Sequence, residues 1–305
     1  FTVSGPTVDI MFPITSEELQ QHLRGLSASS SPGPDRLTVS DVRALPLPDL
    51  AALLNCVLQF GDVPLSWKIH RTTLIPKSTV DLHLATNWRP ITIASVLSRL
   101  LNRILAARLQ HSITLSPRQK AFIPADGCLT NTLILDAAIR EARRCKTELN
   151  MVALDVSKAF DSVSRHSLTR ALRRFNLSPE FIGFLAHSYE SCTTSIRAGE
   201  TECKNVSMTR GVKQGDPLSP MLFNMVLDEL LTSLPPTIGL PIGDQLVNCL
   251  GFADDVVLLA SSKTGMEVLL QQSSAFFSSR SLKLNAQKSF VLRLVPSVRN
   301  RVVTV

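Results

Sequence analysis

The chain has 305 residues, enough for one large domain or two smaller ones with a sizeable core. Hydrophobic residues make up 44% and charged residues 19%, an ordinary globular composition, and the net charge of +7 suits a polyanionic partner without identifying one. Aromatic residues are 5%, with Tyr189 the single tyrosine, which argues against a stacking platform rich in rings.

No apolar run reaches about 18 residues, so no membrane span is expected. Six cysteines without C-x-x-C spacing read as free thiols in a reducing compartment rather than a zinc site or a disulfide framework. The opening Phe1 and the apolar end at Val305 read as an excerpt of a longer polypeptide.

In chain order, residues 15–30 predict a helix, with Thr15 or Ser16 as N-cap and Leu19, Leu23 and Leu26 at helical spacing. It ends in the stretch SASSSPGP, residues 27–34, a loop by composition. Residues 49–60 predict a second helix and 72–77 a short strand ended by proline. Residues 94–110 carry the clearest amphipathic period, and 130–146 form another helix with a basic end. Arg99, Arg103, Arg108, Arg140, Arg143 and Arg144 on these helices read most simply as a solvated basic face, some of them able to track template phosphates.

From residue 151 the pattern changes. Residues 151–157 predict a strand, 164–175 a helix, and 217–234 a helix that closes at Pro235-Pro236. Residues 246–253 and 256–260 predict two strands meeting at a pair of aspartates, followed by a helix over 264–281 and a strand over 289–295. That order predicts an α+β fold, an antiparallel sheet with helices on one face, related to the split βαβ plan.

The paired aspartates are Asp254 and Asp255, in GFADDVVLLA. An exposed hairpin turn would account for them locally. Asp155 adds a second strand end, directly after an apolar strand and before a helix. Carboxylates about 4 Å apart repel by about 4 kcal/mol at an effective dielectric near 20. A divalent cation turns that repulsion into binding. Magnesium accepts a few carboxylates together with substrate phosphates, which points to phosphoryl transfer.

LDVSKAFDSV, RGVKQGDPLSPMLFN and GFADDVVLLA, in this order, resemble motifs A, B and C of reverse transcriptases. SPGPDRL, LIPK, NWRPITI and QKAFIPADGC resemble the finger motifs of non-LTR retrotransposon polymerases, and LKLNAQKS resembles their motif D. The resemblance covers roughly 30–290, and the wording from NWRPITI to LAARL is most similar to elements inserted site-specifically in ribosomal RNA genes.

The resemblance implies a right-hand polymerase: an N-terminal extension over 1–30, fingers over 31–150, a palm over 151–295, and the start of a thumb connection over 296–305. It implies that Asp155, Asp254 and Asp255 hold two Mg2+ ions, or Mn2+ in their place. Lys288 would be a general acid toward pyrophosphate. Lys77 and Arg89 would grip the triphosphate, Gln214 and Gly215 would meet the nucleotide, and Phe160 would be a steric gate against ribose. Asp161 reads as a structural hydrogen-bonding group.

The implied partners are an RNA template, a DNA primer with target DNA, and deoxynucleoside triphosphates. The implied setting is target-primed reverse transcription in the nucleus, with an endonuclease elsewhere in the polyprotein. Phe252 stands where many of these enzymes carry tyrosine, which predicts altered primer-end contacts. Two alternatives stay open among enzymes: an intron-encoded, group II-like reverse transcriptase, and an RNA-dependent RNA polymerase, against which Phe160 argues. A catalytically incompetent nucleic-acid-binding fragment is the third.

Overall fold

The computed structural model describes residues 5–77, 79, 81–198, 201–296 and 303–304. Most of the stretch expected to begin a thumb connection, 296–305, lies outside the described residues.

The first helix, α1 (Ser16–Arg24), is capped by the Thr15 hydroxyl, which accepts from the Glu18 amide. It stops well short of residue 30, because Gly25 and the serine-rich loop do not propagate a helix. A short α2 (Val39–Arg43), absent from the sequence reading, is set by a capping box between Thr38 and Asp41. Helix α3 (Leu47–Phe60) ends at Gly61, whose φ of 68° is the left-handed C-cap conformation. Strand β1 (Ile69–Pro76) begins earlier than predicted. Its partner β2 (Trp88–Ile93) was not predicted, because Pro90 interrupts its short apolar pattern.

Helix α4 (Val96–Ser112) corrects the reading of its arginines. Arg108 is 6% exposed; it donates to both Glu18 carboxylate oxygens and to the carbonyls of Ile10, Phe12 and Pro13. Arg99 is partly buried and donates to Ser30 Oγ and the Ser31 carbonyl. Periodicity placed these residues beside an apolar stripe but not under the chain segments that cover them.

Helix α5 (Gly127–Cys145) starts at the Asp126 cap and leads into β3 (Leu149–Leu154). After Asp155 come the two-residue β4 (Val156–Ser157), the one-turn α6 (Ala159–Ser162) and α7 (Arg165–Arg174). Helix α8 (Pro179–Tyr189) and the hairpin β5 (Thr193–Ala198) with β6 (Thr201–Ser207) fill a stretch without a predicted element. Helix α9 (Ser219–Ser233) follows.

The expected single strand over 246–253 is instead two. β7 (Leu240–Ile242) and β8 (Gln245–Val247) form a small hairpin, and β9 (Cys249–Phe252) pairs elsewhere. The break is Asn248, fully buried, whose side chain donates to the Pro235 carbonyl. Strand β10 (Asp255–Ala260), helix α10 (Lys263–Ser279), β11 (Lys283–Leu284), β12 (Phe290–Pro296) and β13 (Val303–Thr304) complete the order.

Two units divide the chain, each built from separated segments. The first combines residues 1–114 and 165–222. Its sheet has the order β2-β1-β5-β6, with β1 and β5 parallel and the other pairs antiparallel. The second combines residues 115–164 and 223–305. Its main sheet, β13-β12-β3-β10-β9, is antiparallel throughout.

Met151, Leu250, Leu259 and Leu294 of that sheet pack with Ala138 and Ala142 of α5. Val152 and Leu258, on the opposite face of the pleat, are also buried. Burial on both faces explains why these strands read as nearly continuous apolar runs. The architecture is α+β.

Candidate active site

In the second unit, β3 and β10 run antiparallel with Leu154 opposite Val256. One step further along that register, Asp155 falls opposite Asp255. Directly opposed residues have Cβ atoms about 4.5–5.5 Å apart, so two like charges meet at the sheet end. Burial, followed by the Asp155 charge, pushes the Asp255 carboxyl above the usual range. Asp254, in the adjoining turn, is also pushed up, chiefly by burial and further by Asp255 and Asp155, while its own amide opposes the shift.

Among the described residues, no three His, Cys, Asp or Glu side chains are gathered into a ready-made metal cage. Magnesium needs only one or two protein carboxylates and completes its shell with water and substrate phosphates. Three at least partly exposed carboxylates at one sheet end, two of them pushed above their usual range, therefore fit such an ion.

The backbone of Asp155 is fixed from the segment that resembles motif D. Its amide donates to Ser289 Oγ at 3.1 Å, its carbonyl accepts from Asn285 N at 2.8 Å, and β11 pairs with β4 just beyond it. Lys288 lies in that same turn, its amide donating to the Asn285 carbonyl, with an exposed side chain.

Strands β9 and β10 join through only Ala253 and Asp254, and Ala253 has a φ of 53°. A residue outside the predicted set holds this turn. Gln119, 3% exposed, accepts from the Ala253 amide at 2.9 Å and donates to the Ala253 carbonyl at 3.3 Å. QKAFIPADGC resembles a finger motif without marking Gln119, because no periodicity singles out one glutamine in a loop. Phe252 is 40% exposed at the end of β9.

Phe160 sits on α6, entered through Lys158 with a φ of 48°. The expected passage from strand to helix after Asp155 is present, but the helix is a single turn, which limits its dipole. The Phe160 ring is half-buried. It stacks on buried Phe223 with centroids 4.7 Å apart and meets Phe122 edge-on at 6.4 Å. Phe122 is 54% exposed with a φ of 59°, an unusual backbone state for a bulky residue. Phe160 is thus a partly open ring on an aromatic floor, not a buried core residue.

Lys77, Arg89, Gln214 and Gly215 belong to the first unit. Arg89 is opposite Ile75 in the β1–β2 pairing and is exposed. The Lys77 ammonium donates to the Thr86 carbonyl at 2.8 Å, across the same hairpin. The Gln214 carbonyl accepts from the Thr92 amide of β2 at 2.7 Å. Gly215 has a φ of 103°, and a Cβ there would stand 2.9 Å from the Thr92 carbonyl oxygen. The structure therefore brings the Gln214–Gly215 loop onto the strand that carries Arg89.

Behind this loop lies a buried polar assembly that the sequence did not single out. Asp216 accepts from Asn102 Nδ2 at 2.6 Å and from the Leu218 amide at 2.9 Å, and burial nevertheless raises its carboxyl. Arg165 donates to the carbonyls of Gly211 and Met208 and lies 4.0 Å over the Tyr189 ring. The Lys213 ammonium lies 4.7 Å from the same ring. These groups are scattered in sequence and carry no shared pattern.

Residues 75–300 match the family described as reverse transcriptase (RNA-dependent DNA polymerase). The chain is 42% identical over 275 residues to the retrovirus-related Pol polyprotein from type-2 retrotransposable element R2DM of Drosophila melanogaster, covering 90% of this chain and 26% of that protein. It is 44% identical over 288 residues to a Pol polyprotein from type-1 retrotransposable element R2 of Popillia japonica, covering 93% and 40%. The chain thus spans between about a quarter and two fifths of the length of these curated relatives. In fold it is similar to a telomerase from Candida tropicalis solved with a fragment of telomeric RNA, with a TM-score of 0.53 at 14% identity over 87% of this chain and 47% of that one.

Proposed function

The chain belongs to the reverse transcriptase family, and on that premise we propose that it is the polymerase core of a non-LTR retrotransposon protein, extending a DNA primer on an RNA template. The observation that carries the reading is the meeting of Asp155, Asp254 and Asp255 at the ends of the paired strands β3 and β10, where burial and the neighbouring carboxylates push Asp254 and Asp255 above the usual range. Two magnesium ions, or manganese in their place, would be held by these three residues and would activate the attacking hydroxyl and stabilise the leaving pyrophosphate.

The chain's own groups supply the rest. Phe160, braced by Phe223, closes the space that a 2′-hydroxyl would need and so selects deoxynucleotides. Gln214 and Gly215, whose loop Gly215 allows to dock closely on β2, meet the nucleotide. Lys77 and Arg89 neutralise triphosphate charge, with arginine offering a two-pronged contact. Lys288 donates a proton to the departing pyrophosphate.

The similarity to the two R2 relatives supports target-primed synthesis in ribosomal RNA genes, and therefore action in the nucleus. Among the described residues no helix is long and apolar enough to cross a membrane.

Primer extension tests the reading. The protein is incubated with an RNA template, a DNA primer, deoxynucleotides and Mg2+. Asp254→Asn is expected to lower extension on the order of 100-fold or more while template binding persists. Unchanged extension in that variant would sink the assignment of the carboxylates, and template binding without extension by the unaltered protein would favour a binding fragment.

A further inference from the structure

The segment running from Ser116 to Ala121 has no helix or strand of its own, yet it is tied along its length within the second unit. The Ser116 amide donates to Asp228, the Arg118 guanidinium to the Leu231 carbonyl, and the Asn224 side chain to the Ala121 carbonyl. These three anchors are on α9. On its other side the segment pairs with β9: the Gly251 amide donates to the Arg118 carbonyl and the Lys120 amide to the Gly251 carbonyl, each at 2.9 Å. Gln119 stands between those two bonds and reaches past Gly251 to the turn.

Its amide orientation is dictated by what it faces. Oε1 accepts from two backbone amides, Ala121 at 3.0 Å and Ala253 at 2.9 Å, while Nε2 faces the Ala253 carbonyl at 3.3 Å. A flipped amide would set donor against donor and acceptor against acceptor. Ala253 holds a left-handed φ of 53°, which a side chain with a Cβ resists, and it is the residue directly before Asp254. The side chain bonded to both sides of that residue is Gln119.

We propose that Gln119 is a positioning residue: by clamping the Ala253 amide and carbonyl, it holds the β9–β10 turn in the conformation that presents the Asp254 carboxylate to a divalent cation. This rests on the reading of Asp155, Asp254 and Asp255 as metal-holding carboxylates. The clamp works through the backbone, so Gln119 needs no contact with nucleotide, primer or metal. Its distance in sequence from Asp254 is bridged by the pairing of the 116–121 segment with β9.

The test uses Gln119→Met, close in size and without either polar atom, and Gln119→Glu, which keeps the oxygen that accepts from Ala253. Two readouts need no catalysis: Mn2+ binding followed by electron paramagnetic resonance, and amide hydrogen exchange of the peptide holding Ala253. Gln119→Met is expected to weaken Mn2+ binding about tenfold, the scale of lost support around metal ligands. Exchange at the turn is expected to quicken about fivefold or more. Gln119→Glu, which sets a second acceptor against the Ala253 carbonyl, is expected to keep only part of the slow exchange, between the unaltered chain and Gln119→Met. Thermal unfolding identifies loss of metal binding by mere unfolding, and a folded Gln119→Met with unchanged Mn2+ affinity and unchanged exchange would overturn the proposal. Unaltered protein that takes up no Mn2+ would instead bring down the reading of the carboxylates, a result distinct from equal binding by the unaltered and Gln119→Met chains.

Discussion

Gly215→Ala separates conformation from crowding at the loop that docks on β2. At a φ of 103°, an alanine occupies a region that L residues rarely adopt, which costs about 1–3 kcal/mol. Its methyl would also lie 2.9 Å from the Thr92 carbonyl oxygen and 3.2 Å from Ile91 Cγ2. Neither neighbour is free to yield, because both belong to β2 and the Thr92 amide is bonded to the Gln214 carbonyl. Overpacking of this kind adds about 1–3 kcal/mol.

Together the two effects predict about 2–6 kcal/mol of destabilisation. Gly61→Ala is the comparison: its φ of 68° is also left-handed, but nothing lies within 4 Å of the new methyl, so only about 1–2 kcal/mol is expected. Urea titrations of the two variants isolate the contact term. In primer extension, the displaced Gln214 carbonyl of Gly215→Ala is expected to lower kcat/KM for deoxynucleotides by about 10- to 100-fold, with Gly61→Ala unaffected. Equal stabilities for the two variants, with unaltered nucleotide kinetics, would refute the reasoning.

Phe160→Ala is expected to relax discrimination against ribonucleotides by about 10- to 100-fold, measured as the ratio of kcat/KM for paired nucleotides; persistent rejection would remove Phe160 from the gate. The same change gives up the stack on Phe223, worth about 0.5–1.5 kcal/mol beyond its buried area, which a urea titration would register. His70 is fully buried, and neither ring nitrogen has a protein partner among the described residues. Burial, and then the Lys213 charge, hold its pKa down to about 3. The unfolded chain takes up that proton near pH 6.5, so stability falls as pH drops below that value, by up to about 1.4 kcal/mol per unit until pH 3. His70→Leu is expected to flatten that slope, and parallel slopes in urea titrations between pH 7 and pH 4 would count against it. Arg108→Met strands the Glu18 carboxylate and three backbone carbonyls and is expected to cost about 3–5 kcal/mol, with faster amide exchange over residues 10–24; a loss under 1 kcal/mol would mean that Arg108 does not hold this segment down.

What could be read from sequence was whatever depends on near neighbours. Helices α3, α4, α7, α9 and α10 follow apolar spacing, and caps or prolines lie close to their ends. The meeting of two strands at Asp254 and Asp255 follows from apolar runs on both sides of a polar pair. Strand β2 and the β5–β6 hairpin were illegible for a physical reason: they are short, β2 contains Pro90, and β6 is largely exposed, so neither shows a clear alternation.

For the candidate site, the linear pattern marked the residue types to look for: three aspartates at strand ends, a phenylalanine after the first of them, and a glycine-proline loop ahead of a helix. The tertiary structure decided how they are held. Register places Asp155 opposite Asp255, Phe223 lies under Phe160, Ser289 and Asn285 fix the Asp155 backbone, and Gln119 reaches the turn before Asp254. Those contacts join residues up to 134 positions apart, and their energy comes from geometry across the fold. A local window can show that two aspartates stand in an apolar run, but only the packed chain shows what keeps their turn in place.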